Sequence, residues 1–211
     1  MIDDLLYLLR ASLNTLALSL ISIGISTLLG VLIGVVCAFR VPIIPILNAI
    51  FVGFVRGVPL LVVIFAIYYS APAFGIDIDP FAAAVTGLSF YFTFFVSEIV
   101  RGAVGAVPRG QFDAAYSLGL TFWQRARLVI LPQALRSALP PMINTWLILV
   151  KGSAFASVIG VWELTTASTE LAQRTVAPFQ VYGASMLIYF AICFTLACFG
   201  SFAEKRLRFQ T

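Results

Sequence analysis

Long apolar runs alternate with short polar intervals along this chain, and the run lengths set the expected architecture. A helix needs about 20 apolar residues to cross a bilayer, and five runs reach that length, at about 11–39, 46–69, 81–104, 140–160 and 181–202. Gly24, Gly30 and Gly34, with several serines and threonines, give the first run small faces for helix packing, Gly30-x-x-x-Gly34 among them. That run closes at Arg40, and a tight turn through Pro42 and Pro45 leads into the second. The interval 70–80 carries Pro72, Gly75, Asp77 and Asp79 but no basic residue. Pro140 and Pro141 suit the first turn of the fourth span, where a missing N–H costs nothing. Residues 161–178 form another polar interval, read as a short helix at the surface.

The longest polar interval, 108–132, organises the rest. It reads as two short helices around a turn. The first, 111–118, carries Phe112 and Tyr116 one helical turn apart, with Ala114 and Ala115 between them. Gly119 supplies a stop, because glycine readily takes the left-handed conformation just past a helix end. Thr121 and Gln124 have capping-box spacing, so Thr121 starts the second helix. Phe122, Ala126 and Val129 then share a stripe, with Arg125 and Arg127 off it.

Composition agrees with an all-α integral membrane protein. Of 211 residues, 61% are hydrophobic and 10% charged, against about 25% charged in soluble chains. The mean hydropathy is +1.04. Cys37, Cys193 and Cys198 all lie in apolar runs without CxxC spacing, which points to packing rather than to a disulfide or metal site. Histidine is absent, which removes the commonest general base and metal ligand. The start, Met1-Ile2-Asp3-Asp4, lacks the basic region of a signal peptide, so the first run reads as a retained span.

The net charge of +4 is spread over loops beside spans, where it sets topology. Arg101, Arg109, Arg125, Arg127 and Arg136 flank or occupy the 108–132 interval, and Lys205, Arg206 and Arg208 lie two spans later on the same side. Arg40 joins them, and only Arg10 and Arg174 fall opposite. The positive-inside rule places the polar loop and the C-terminus in the cytoplasm and the N-terminus outside.

Ionisable residues inside spans are the candidates for chemistry. Arg56 lies about ten residues into the second span, roughly 15 Å deep at 1.5 Å per residue, and Lys151 is at similar depth in the fourth. Such a residue at the bilayer centre costs about 2.5–3.5 kcal/mol, so it normally faces protein or water. Glu98 stands one turn before Arg101, and a local ion pair competes with a substrate role. Bonding to backbone carbonyls of other helices competes likewise for Arg56 and Lys151. Both sit beside breaks, Gly57 and Pro59 after the first and Gly152-Ser153 after the second. Broken helices at mid-membrane offer backbone groups and charge to a substrate. Glu163, near the outer end of the fourth span, completes the candidate substrate path of Arg56, Glu98, Lys151 and Glu163.

The polar interval also carries a family resemblance. Asp113-Ala114-Ala115, Gly119 and Val129-x-Leu131-Pro132 resemble the cytoplasmic EAA loop of permease subunits of ABC importers, with Asp113 in place of Glu and Val129 in place of Ile. The likeness extends through Arg56-Gly57-Val58-Pro59-Leu60-Leu61, Glu98-Ile99-Val100-Arg101-Gly102 and Val107-Pro108-Arg109-Gly110-Gln111. Leu139-Pro140-Pro141 with Asn144, Lys151-Gly152-Ser153, and Ser157-Val158-Ile159-Gly160-Val161 with Glu163-Leu164 continue it. These stretches are similar to the polar amino acid permeases of that group.

The resemblance implies a type I importer half, one transmembrane permease domain over 1–211 with a coupling loop at 108–133. Gln111, Phe112, Asp113, Ala114, Ala115, Tyr116, Gly119, Leu131 and Pro132 would make the ATPase-coupling surface. It further implies two ATP-binding cassette ATPase subunits, a second permease subunit, an extracytoplasmic solute-binding protein and residence in a bacterial inner membrane. No cofactor would belong to this chain, ATP and magnesium being held by the ATPases. The segment from Phe90 to Val96 is bulkier and more aromatic than the resemblance leads one to expect.

Other functions fit less well. A gradient-driven secondary amino acid carrier usually shows internal repeats, and none is visible here. An intramembrane enzyme lacks histidine, a Ser-x-x-Lys pair and paired carboxylates at useful spacing. A purely structural subunit would not need three charges inside spans. No G-x-x-x-x-G-K-[ST] loop occurs, so the usual cradle for ATP phosphates would come from another polypeptide.

Overall fold

The computed structural model describes residues 2–39 and 43–207, and every regular element among them is helical. Arg40, Pro42 and Arg208, expected at a span end, in a turn and in the basic tail, lie outside the described residues.

Helix α1 runs Ile2–Ala38. Its 37 residues measure about 55 Å at 1.5 Å per residue. It starts well before the apolar run because Asp3 and Asp4 sit favourably at the positive N-terminal end. Leu8 and Ala11 extend the core contact, packing with Leu164, Ala167 and Leu171. Its close partner is α4, Pro80–Gly105, which starts where the Asp79 carboxylate accepts from the N–H groups of Phe81 and Ala82 at 3.0 and 3.2 Å. The expected glycine face is the contact surface. A Cβ on Gly30 would lie 2.5 Å from Val96 Cβ, and one on Gly34 would lie 2.6 Å from the Ser97 carbonyl. Gly24, by contrast, faces open space.

The second span is broken. Helices α2, Ile44–Gly57, and α3, Leu60–Ser70, meet at 104°. Pro59 caps α3, and the Val58 N–H still donates to Phe54 O at 3.0 Å, so the chain turns without stranding that group. A 3₁₀ turn, Ala71–Phe74, follows and ends at left-handed Gly75. Among the described residues four helices are long and apolar enough to cross a membrane, and the bent pair, taken as one span, brings the number to five.

Two short helices, α5 (Arg109–Ser117) and α6 (Phe122–Gln124), precede a π-helix over Arg125–Ile130. Helix α7 runs Leu131–Gly152 and passes into a 3₁₀ turn, Ser153–Ile159. Pro140 and Pro141 are therefore inside the helix, not at its start, and Pro132 occupies the first turn instead. Burial explains the continuity. Ile130, Ala134, Ala138 and Met142, four residues apart, share one core with Val96, Val100, Ala103 and Val104 of α4. Membrane helices tolerate prolines where neighbouring groups satisfy the freed backbone.

Helix α8, Leu164–Thr175, is the short helix expected in the polar interval. It is only partly superficial: Leu164, Ala167, Ser168 and Leu171 are buried against α1 and the final helix α9, Pro178–Leu207. Most of α9 is exposed, including Met186, Phe190 and Phe194.

Candidate functional site

The loop geometry of the 108–133 segment is set by local hydrogen bonds. Pro108 precedes α5, and Gly119 ends it at φ 72°. The Gly119 N–H donates to Tyr116 O at 2.9 Å and the Leu120 N–H to Ala115 O at 3.3 Å, the paired bonds of a Schellman motif. Two residues later the capping box forms. Thr121 Oγ1 accepts from the Gln124 N–H at 3.4 Å, and Gln124 Oε1 accepts from the Thr121 N–H at 2.8 Å. Both ends of the turn thus satisfy their own backbone.

Orientation divides the loop residues. Ala115 is 2% exposed and Phe112 half-buried, so they anchor α5 to the body. Gln111, Asp113, Ala114, Tyr116, Gly119 and Pro132 face outward, and Leu131 is half-buried. Gln111 Oε1 accepts from Gln133 Nε2 at 3.3 Å, which ties α5 to the first turn of α7. The exposed surface is apolar where a loop would ordinarily be polar: Tyr116 is 71% exposed, Leu118 77% and Trp123 78%. The Arg125 guanidinium lies 5.3 Å from the Tyr116 ring centroid, bracing it from the second arm.

The π-helix was not legible in the sequence. The Leu131 N–H donates to Ala126 O, five residues back, so side chains fall on a wider period than an α-helix allows. Of the expected stripe of Phe122, Ala126 and Val129, Ala126 is buried and Val129 packs against the core shared with α4. Ile130 is buried beside them, and Phe122 meets Phe39, itself packed on that core, edge-on at 5.0 Å.

The four ionisable candidates fall in different surroundings. Arg56 is exposed at the last turn of α2, directly before the bend, within electrostatic reach of Glu98. Glu98 is clasped by Arg101, with Nε–Oε1 at 2.8 Å and Nη2–Oε2 at 2.9 Å, and also accepts from Asn48 Nδ2 at 3.3 Å. The local ion pair anticipated at this spacing is therefore present. Lys151 is exposed and opens into a groove of about 490 Å³ between α7 and α9, lined by Tyr189, Phe190, Cys193 and Phe194.

Glu163 is fully buried and caps α8. Its Oε1 accepts from the Thr166 N–H at 3.0 Å, and its Oε2 from Tyr189 at 3.0 Å and Thr15 at 3.3 Å. This carboxylate joins three helices, a role its position in the sequence did not announce. Around it, Asn14 donates to Trp162 O at 2.9 Å, and Tyr7 donates to Glu170, so α8 is tied to α1 along its length. The aromatic segment Phe90 to Val96 serves packing between helices: Phe94 stacks on Phe51 of α2 at 4.9 Å and meets Phe90 at 5.3 Å.

Residues 30–208 match the family described as the binding-protein-dependent transport system inner membrane component. The chain is 35% identical to the probable amino-acid ABC transporter permease protein YckA of Bacillus subtilis over 205 residues, covering 97% of this chain and 91% of that one. It is 34% identical to the glutamine transport system permease protein GlnP of Escherichia coli, covering 92% and 90%. Among solved structures, an amino acid ABC transporter crystallised with histidines superposes with a TM-score of 0.90 at 32% identity, covering 98% and 96%. An inward-facing methionine ABC transporter shares the fold, with a TM-score of 0.82 at 21% identity.

Proposed function

The chain belongs to the family of binding-protein-dependent transport system inner membrane components, and from that premise we propose that it moves a polar amino acid, or a related compound such as an opine, into the cytoplasm. The observation that carries this reading is the 108–133 loop. Its exposed Tyr116, Leu118 and Trp123 make an apolar surface on a self-braced loop outside the spans, and such a patch calls for a protein partner. That partner is an ATP-binding cassette subunit, two per transporter, which binds and hydrolyses ATP with magnesium. Helix α5 and the turn at Gly119 pass the ATPase's closure to α7, a helix of the same rigid path. A second permease subunit, the same or similar, completes the membrane part, and an extracytoplasmic solute-binding protein delivers the substrate. The whole of 1–211 acts as one transmembrane unit, N-terminus outside and C-terminus in the cytoplasm, in keeping with the excess of arginine and lysine around the loop.

Along the substrate path, Arg56 and Lys151 are the accessible cations for a carboxylate. Arg56 is favoured because its planar fork bonds bidentately and it is exposed directly beside the 104° bend. Glu98 and Glu163 shape that path while held by Arg101 and by Tyr189, Thr15 and the α8 N-terminus. A gradient-driven carrier would work without an ATPase. Uptake into vesicles holding the assembled transporter is the deciding measurement: it should require internal ATP and survive an ionophore. Uptake that persists without ATP and collapses with the ionophore would overturn the reading.

A further inference from the structure

A cavity of about 510 Å³ opens where the C-terminal ends of α1 and α4 meet the start of α2 and of α5. Ala38, Phe39, Val104 and Phe112 line it with apolar surface, and its two cationic walls are Arg101 and Arg109. Glu98 engages Arg101 through Nε and Nη2, which neutralises one guanidinium and leaves its other amino group spare. Arg109 is exposed at the first turn of α5 and has no hydrogen-bonding or ionic partner among the described residues. The cavity therefore carries a surplus positive charge inside an apolar frame.

Its position adds a second constraint. The spans α1 and α4 end at Ala38 and Gly105, so the cavity lies at the level where apolar helix gives way to polar loop. Phe39 and Phe122 meet edge-on beside it. A free inorganic anion would satisfy Arg109 yet leave the apolar walls wet. A phospholipid satisfies both, its phosphodiester on the guanidinium and its glycerol and first methylenes on Phe39, Val104 and Phe112. Basic pockets between membrane helices on the cytoplasmic side bind lipid headgroups by this logic.

We propose that this cavity is a binding site for the phosphodiester headgroup of an anionic phospholipid of the cytoplasmic leaflet, held by Arg109 with Arg101. The inference rests on the cytoplasmic placement of the 108–133 loop. A lipid seated there would touch α5 from the membrane side, opposite the surface offered to the ATPase.

The test uses the assembled transporter, exchanged into bilayer discs of phosphatidylcholine with or without phosphatidylglycerol. Native mass spectrometry then counts the phosphatidylglycerol that stays bound. Arg109→Gln should lower phosphatidylglycerol affinity about tenfold, the scale of one lost charge-assisted hydrogen bond. Arg109→Lys should recover part of it, and Arg10→Gln, at the opposite end of α1, should leave it unchanged. Equal retention by wild type and Arg109→Gln would overturn the proposal. Displacement of the lipid by millimolar inorganic phosphate would reassign the site to a free anion and overturn the lipid source. A topology readout separates the two readings: Gly110→Cys, in a chain with Cys37, Cys193 and Cys198 replaced by serine, should react only with reagent on the cytoplasmic side. Reaction from the outside would overturn the orientation as well. Cytoplasmic reaction with unaltered lipid retention would sink the lipid site alone.

Discussion

Tyr189 on α9 donates its hydroxyl to the buried carboxylate of Glu163 over 3.0 Å, and the same carboxylate caps α8 and reaches Thr15 on α1. Helix α1, at the far end of the sequence, therefore meets the consecutive helices α8 and α9 on one side chain. Removing part of the arrangement should loosen the junction of α1, α8 and α9. Tyr189→Phe should cost about 1 kcal/mol, an ordinary buried hydrogen bond. Glu163→Ala should cost about 2–3 kcal/mol, since the cap and the partners of two hydroxyls are lost together. Thermal unfolding in detergent checks both, and equal midpoints for Glu163→Ala and wild type would contradict this account.

The glycine contact between α1 and α4 makes an independent stability prediction. Gly34→Leu should abolish assembly, because its Cβ alone would stand 2.6 Å from the Ser97 carbonyl and 2.7 Å from Val100 Cβ. Gly24→Ala should be neutral or slightly stabilising, as nothing lies within 4 Å. The yield of monodisperse protein after purification separates the two. Matching yields for Gly34→Leu and wild type would mean that the helices are not in this register.

The loop separates shape from docking. Gly119→Pro should break the turn, since φ 72° is closed to proline and the N–H that donates to Tyr116 O would vanish. A bulky charge at Ala115 should act the same way, from inside, because that side chain is buried against the body. Leu118→Asp, on an exposed side chain, should leave the loop folded and weaken only the ATPase contact. All three variants should insert normally and lose transport, with ATP hydrolysis uncoupled from it. Full transport by Gly119→Pro and Leu118→Asp in an intact complex would contradict the coupling role.

Charge removal at nearly constant size sorts the substrate path. Arg56→Gln and Lys151→Met should lower uptake by at least about tenfold if each holds a substrate carboxylate, the scale of one charged hydrogen bond, with assembly and basal hydrolysis preserved. Glu163→Gln should instead reduce the yield of assembled complex, because its carboxylate is fully buried among helices. Uptake assays beside size-exclusion profiles distinguish the outcomes. Normal uptake by both Arg56→Gln and Lys151→Met would move the path elsewhere, or mainly into the partner permease.

Local chemistry determined much of this protein. Run length and hydropathy set the five apolar segments, because crossing a bilayer is a one-dimensional requirement. The Gly119 stop and the Thr121–Gln124 box were legible for a similar reason: each is closed by hydrogen bonds within a few residues. The Gly57–Pro59 break and the Glu98–Arg101 pair follow the same rule, one from a missing N–H and the other from three-residue spacing.

Tertiary structure decided whatever depended on distant partners. Pro140 and Pro141 read as a helix start, yet the shared core of Ile130, Ala134, Ala138 and Met142 with α4 carried the helix through them. The π-helix at 125–130 leads into that core through its buried Ile130, and no local signal in the sequence marks its wider turn. The surroundings of Glu163 were set the same way, by Thr15 on α1 and Tyr189 on α9. A buried carboxylate is defined by the groups that desolvate and bond it, and only folding brings those groups together.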